Sequence, residues 1–277
     1  MSLIREAARK ALKGRMSMAY ASVVIYILCI SLPVIIVEQI TGLWGFLERA
    51  TNEYLAELTY NPTPASIFEW AQSYGDQGGV SLATFLFLLL VPGPLTLGLS
   101  VVWLRIIRGQ EAYADMVFSG FGNFLRAMLL NFIRCLFMLV WAILFIIPGI
   151  IAYYRYSLAF FLLADNPTMT PFTAIALSKY YMRGNKGNRF LLDLSFIAWF
   201  CIAFIATSFA SDFVVSVISI LGYTVTFFIS QLVSCVVSTV IFAPVIAYRC
   251  TAAAEYYHRV ICQDPRSFKD PLELPVL

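Results

Sequence analysis

The chain has 277 residues, 60% of them hydrophobic and only 13% charged, with a mean hydropathy of +0.80 and a net charge of +3. Soluble domains run at about 45–50% apolar and about 25% charged, so this balance places the chain in a bilayer rather than in water. With so small a net charge, and no basic face outside the positions that flank apolar runs, nucleic-acid binding is not expected.

The N-terminus is basic, with Arg5, Arg9, Lys10, Lys13 and Arg15, and leads into an apolar run from Met16 to Val37. That order imitates a secretory signal. The run, however, is longer than the about 20 residues that cross a hydrocarbon core, and no small-x-small cleavage site follows it. A retained transmembrane helix is the expectation. The candidate spans in chain order are Ser17–Ile40, Leu82–Ile107, Ala127–Ile147, Gly149–Ala164, Phe190–Phe209 and Thr224–Tyr248. The fourth is short, at about 24 Å against a core of about 30 Å. Ser211–Tyr223 is apolar apart from Asp212 and reads as an outer interfacial or half-membrane segment rather than a seventh span.

Lys and Arg orient these spans. With six crossings and both termini cytoplasmic, only Arg49, Arg134 and Arg155 of the 19 basic residues lie off the cytoplasmic side. The loop of residues 41–80 is then outside, carrying Glu48, Glu53, Glu57, Glu69 and Asp76. Reading residues 127–164 as one crossing would give a helix of about 57 Å and expel the basic cluster at 179–189. Pro148-Gly149 is therefore expected to turn a helical hairpin at the outer face. Asp165-Asn166-Pro167 then stops the return helix, with Asp165 a turn former rather than a proton carrier.

Three preludes to spans carry apolar stripes at helical spacing: Leu3, Ile4, Ala7, Ala8, Ala11 and Leu12; Tyr113, Val117, Phe121 and Phe124; and Phe172, Ile175 and Met182. Each suits a helix lying in the headgroup plane. "KALKGRM" and "KYYMRGNKG" are alike, each a basic turn ending in glycine before a span. The expected fold is an all-α polytopic bundle of about six spans, built as three hairpins with amphipathic interfacial helices. Residues 1–262 form one transmembrane domain, and the Pro-rich stretch 263–277 is a loosely ordered cytoplasmic tail.

"IIPGII" (Ile146–Ile151), "YSLAFFLLADNP" (Tyr156–Pro167), "AIALSKYYMRGNK" (Ala174–Lys186) and "RFLLDLSFIAW" (Arg189–Trp199) resemble the blocks of domain-of-unknown-function family 975. "EAARKALKG" (Glu6–Gly14) and "GQEAYADMVFSGF" (Gly109–Phe121) are similar to its N-terminal blocks. The resemblance implies a multi-pass protein of the bacterial cell membrane. It implies no reaction.

Chemistry-bearing constellations are few. The six cysteines show no Cys-x-x-Cys spacing, so neither a disulfide framework nor a metal site is expected. The single histidine, His258, follows the last span and has no nucleophile pattern beside it. No Walker A, Gly-x-Gly-x-x-Gly or Gly-x-Ser-x-Gly motif is present. An enzyme is not expected, nor a cofactor. The pointers that remain are intramembrane ionisable groups, which are expensive to bury unpaired. Arg134 lies about 10 Å into the third span, and Asp193 about 6 Å beyond Arg189 in the fifth. An Arg134–Asp193 pair would either lock helices or form a polar site. Arg155, among Tyr153, Tyr154 and Tyr156, either snorkels from an outer aromatic belt or holds an anionic group. Arg134, Arg155 and Asp193 are thus the candidate polar site. Lys179, Arg183, Lys186 and Arg189 are candidate contacts to anionic lipid, with phosphate binding as the rarer alternative for "RGNKGNR". Pro92 and Pro94 break the second span, either as a structural kink or as a transporter-like opening. Function reads as a membrane protein that binds or moves a lipid, hydrophobic peptide or small solute. The alternative is an accessory subunit or immunity-type protein with a membrane partner; the third and least favoured reading is a lipid-modifying membrane enzyme, for which Asp193, Asp165, Ser157 and Ser178 are the polar actors and no base stands beside them.

Overall fold

The computed structural model describes residues 2–41, 82–220 and 227–263. These form helices α1 (Ser2–Leu12), α2 (Met16–Thr41), α3 (Leu82–Leu90), α4 (Pro92–Ile107), α5 (Phe124–Leu144), α6 (Ile146–Arg155), α7 (Ala159–Asp165), α8 (Pro171–Tyr181), α9 (Lys186–Ile220) and α10 (Phe227–Gln263), with a 3-10 segment at Ala114–Asn123. There is no strand among the described residues. Among the described residues, six stretches are long and apolar enough to cross a membrane: Met16–Val37, Thr84–Ile107, Ala114–Trp141, Ile147–Asp165, Lys186–Val217 and Ile229–Ile261. The molecule is an all-α bundle with the makings of a multi-pass membrane protein, as the sequence implied. The loop 42–81 and the tail 264–277 lie outside the described residues, and with them the expectations placed there.

Gly14, Gly109 and Gly184 take positive φ values of 80°, 71° and 86°. Each follows a helix end, where only glycine reverses the chain without a Cβ penalty. Gly14 joins α1 to α2 and Gly184 joins α8 to α9, so the two look-alike basic turns share a local geometry. Just past the end of α4, Arg15 donates from its guanidinium to Gly109 O at 2.8 Å and to Ile106 O at 3.2 Å, the latter shared with Gly109 N.

Between α4 and α5 the expected interfacial α-helix is replaced by the 3-10 segment. Its three-residue period eclipses positions i and i+3, so Val117 and Gly120 face α4 while Phe118, Phe121 and Phe124 stack outward with centroids 6.4 and 6.2 Å apart. The stripe read through Tyr113, Val117, Phe121 and Phe124 therefore does not form one buried face. Glycine explains the geometry. A Cβ on Gly98 would lie 1.9 Å from Val117 O, and one on Gly120 would lie 1.9 Å from Pro94 O. The two backbones touch. Gly93 approaches Ala127 O in the same way. The break at Val91–Pro92 thus serves close packing, and Thr96 Oγ1 donates back to Pro92 O at 2.6 Å.

The α5–α6 reversal falls at Phe145, an extended residue (φ −161°, ψ 145°). Pro148 and Gly149, expected as the turn itself, occupy the first turn of α6, and Gly149 N donates to Phe145 O at 3.2 Å. Proline is tolerated there because first-turn N–H groups have no intrahelical partner. The hairpin runs antiparallel: Phe137 packs on Tyr156, Arg134 lies over the Phe160 ring, and Arg126 donates to Pro167 O. The return arm bends at Tyr156–Leu158 between α6 and α7. Ser178 of α8 clasps the bend, accepting from Leu158 N at 3.2 Å and donating to Arg155 O at 2.9 Å. α8 is packed into the bundle rather than lying on it. Ile175 and Met182 are buried, and Phe172 of the same expected stripe is exposed.

α9 runs unbroken to Ile220, because no proline or glycine intervenes after Gly187. Residues 211–220 therefore continue α9 without a break rather than forming a separate element. Helices α9 and α10 pair antiparallel, with Phe196 against Tyr248 and Phe200 against Phe242. α1 is strapped across α10: Arg9 Nε donates to the Tyr248 hydroxyl at 3.1 Å, which donates in turn to Arg5 O at 3.2 Å. Buried side chains gather where α4, α7, α8 and the second half of α10 meet. The outer reaches of α3, α5 and α9 expose Phe85, Leu139, Phe204 and Phe209, as lipid-facing helices must.

Candidate functional site

Where α4, α5, α6, α7, α9 and α10 converge, they enclose a cavity of about 150 Å³. Its wall includes Trp103, Arg134, Tyr153, Phe160, Arg189 and Arg249, and no carboxylate. Arg189 is delivered by the face of α9 that also carries Leu192 and Phe196, both buried, at the i, i+3, i+7 spacing of a helix stripe. It is itself 6% exposed. Its Cζ sits 5.7 Å from the Tyr256 ring centroid, and its Nη2 lies 3.7 Å from Asp193 Oδ1, one turn further on. Arg249 of α10 reaches the same oxygen with Nε at 3.0 Å and donates through Nη2 to the Tyr153 hydroxyl at 3.0 Å. Arg134 of α5 lies 5.0 Å from the Phe160 centroid, within cation–π range.

Three guanidinium groups thus answer to one carboxylate, an excess of two positive charges in a largely buried place. The donors are also under-used. Trp103 Nε1, Arg134 Nε, Arg189 Nε and Nη1, and Asp193 Oδ2 are buried and have no hydrogen-bond partner among the described residues. Unmet buried donors cost about 1–3 kcal/mol each, and more when charged. The hydroxyls in the wall are already engaged with their own helices: Thr96 with Pro92 O, Ser100 with Thr96 O, and Ser157 with Tyr154 O. The chamber is therefore rich in spare cationic donors, while the Cys250 thiol in its wall and Asp193 Oδ2 beside it are the uncommitted groups of other kinds. An anion with several oxygens fits that chemistry. Tyr153, which is 37% exposed, forms one flank of the cavity.

The structure redistributes the residues expected from sequence. Arg134 stands at the chamber and Asp193 beside it, but they are not each other's partners, because Asp193 is taken by Arg249 and Arg189. Arg189 is not a surface lipid anchor. It faces inward, while Lys179 and Arg183 are exposed and Lys186 is half-buried. Arg155 does not line the cavity; its backbone carbonyl accepts from Ser178 of α8 at 2.9 Å. Of the tyrosines around it, Tyr156 is buried against Phe137, Tyr154 packs edge-on against Phe190, and Tyr153 joins the chamber. Asp165 does more than end a helix. It bonds Arg108 at 2.7 Å and the Tyr257 hydroxyl at 2.7 Å, tying α7 to α4 and α10. Arg249, Trp103 and Tyr153 were missed as site residues. A signal for Arg249 was available in the small-residue run Cys250–Ala254 after it, which keeps the helix packed beyond the arginine. No three His, Cys, Asp or Glu side chains group as metal ligands among the described residues.

The helices that supply Tyr153, Phe160, Arg189, Asp193 and Arg249 form one continuous stretch of chain. Residues 143–263 match the family model described as protein of unknown function (DUF975). This is the family that the sequence blocks between Phe145 and Trp199 resemble. Trp103 and Arg134 lie before the matched stretch, so the chamber joins the matched helices to the N-terminal part of the chain. No curated protein and no solved structure matches the chain.

Proposed function

We propose that this protein binds a small oxyanion, a phosphoryl or carboxylate group, in the arginine chamber, and that it is a binding or conducting protein rather than an enzyme. The observation that carries the reading is the excess of guanidinium over carboxylate around a cavity whose buried donors lack partners. An anion about 4 Å from one guanidinium gains about 4 kcal/mol at an effective dielectric constant near 20, and three such groups converge here. The wall hydroxyls bonded to their own helices supply no activated nucleophile, which favours binding over covalent chemistry. The distribution of Lys and Arg supports a bacterial cell-membrane protein with both termini cytoplasmic and membrane lipids around it.

The test uses purified full-length protein in neutral detergent. Inorganic phosphate, acetate and dihexanoyl phosphatidic acid are titrated while melting temperature and tryptophan fluorescence are followed. Trp103 lies in the wall, so occupancy is expected to change its emission. At least one oxyanion is expected to stabilise saturably beyond sodium chloride at equal ionic strength, and Arg134→Gln to weaken that effect about tenfold or more, the value of one charge-assisted contact. Stabilisation by phosphatidic acid alone identifies a lipid headgroup; stabilisation by phosphate identifies a free ion, and flux into proteoliposomes then separates transport from binding. If none exceeds chloride, the chamber is a helix clamp and the reading fails.

A further inference from the structure

A second cavity lies on the opposite flank of α10, under α1. It is a groove of about 650 Å³ with Phe196 and Trp199 of α9 and Pro244 and Val245 of α10 on its floor. Its rim on the α1 side carries Arg9, Lys10 and Lys13, together with Glu6. Lys10 pairs with Glu6 at 3.1 Å, but both remain largely exposed. Arg9 is held by the Tyr248 hydroxyl and leans over that ring at 5.7 Å. The rim therefore keeps an excess of positive charge above an apolar floor.

We propose that this groove holds an anionic phospholipid, with its phosphate at Lys10, Lys13 and Arg9 and an acyl chain along Trp199 and Val245. Three features point to this occupant. The volume lies within the range of about 300–1,000 Å³ typical of small-molecule sites. The floor continues into exposed Trp199 and Ile202 on α9, surface that faces hydrocarbon in a multi-pass protein. The rim stands on a helix that buries Ala8 and Leu12 and turns its charged side outward, the disposition of a helix at headgroup level. Headgroup-level cations over a hydrocarbon-level floor match an acidic lipid end to end; a neutral lipid satisfies only the floor.

Native mass spectrometry of the full chain, with equimolar dioleoyl phosphatidylglycerol and dioleoyl phosphatidylcholine, tests the proposal. The wild type is expected to retain phosphatidylglycerol preferentially. Lys10→Gln with Lys13→Gln, at exposed positions that leave the fold intact, is expected to lower that retention roughly fivefold for each charge removed. Val245→Trp, which fills the floor, is expected to lower retention of both lipids. Equal retention of the two lipids by the wild type overturns the proposal, as does full phosphatidylglycerol retention by the Lys10/Lys13 variant. A two-chain species lost in Val245→Trp would assign the groove to a second copy of this protein instead.

Discussion

Asp193 holds two arginines with one carboxylate, and the consequences of removing it differ from those of removing either cation. Asp193→Asn leaves Arg189 and Arg249 uncompensated in a site where the aspartate side chain is only 12% exposed. Breaking a buried pair in this way costs about 3–5 kcal/mol. The variant is expected to melt earlier in detergent, while binding its oxyanion more tightly because the chamber has gained net positive charge. Added phosphate or phosphatidic acid should recover much of the lost melting temperature. A variant that melts early and is not rescued speaks for a purely structural clamp. Arg134→Met has the opposite signature: it removes a cation with no carboxylate partner, so unliganded stability holds or rises while anion binding falls, the trade-off common at functional sites. Arg134 and Asp193 were legible in the sequence because an ionisable group inside an apolar run stands out. Their partners were not, because Asp193 meets Arg249 across 56 residues, and pairing at that separation is decided by helix packing rather than by local spacing.

Among the elements, the contact of α4 with the 3-10 segment has no side chain between its backbones. Gly98→Ala or Gly120→Ala sets a methyl 1.9 Å from a carbonyl oxygen that belongs to backbone and cannot swing aside. Each is expected to cost about 1–3 kcal/mol or more, read as a drop in melting temperature or a loss of monodisperse protein on size exclusion. Gly122→Ala is the control: nothing lies within 4 Å of its added carbon and its φ is not positive, so it should be close to neutral. Gly184→Ala also meets no atom, but φ of +86° makes it cost about 1–2 kcal/mol through backbone strain alone. Apolar run length marks the six helices that are long and apolar enough to cross a membrane. The 3-10 segment escaped because residues 113–124 read equally well at a period of 3.6. Only the approach of Gly98 and Gly120, twenty-two positions apart, selects a period of 3.

For the molecule as a whole, charge asymmetry sets orientation, and labelling can check it. Lys179→Cys, at an exposed position of the otherwise packed α8, is expected to stay unreactive toward a membrane-impermeant maleimide in intact cells and to react after permeabilisation, in a background where the native cysteines are replaced. Labelling of intact cells would reverse the orientation given by the positive residues. The long helices sharpen the point. With 35 and 37 residues, α9 and α10 extend about 52 and 55 Å, well beyond a hydrocarbon core of about 30 Å. The hairpin therefore has substantial length outside the bilayer, and the second half of α10 is where α1, α4 and α7 are anchored.

That hairpin also sets two neighbouring residues to different tasks. Tyr248 receives Arg9 beside the lipid groove, and Arg249, the next residue, holds Asp193 and Tyr153 beside the anion chamber. One turn of α10 is thus a party wall. Any rotation of it that suits an occupant on one side alters the room on the other, and thermodynamic linkage makes that influence mutual: whatever factor an acidic lipid applies to the affinity for an oxyanion, the oxyanion returns to the lipid.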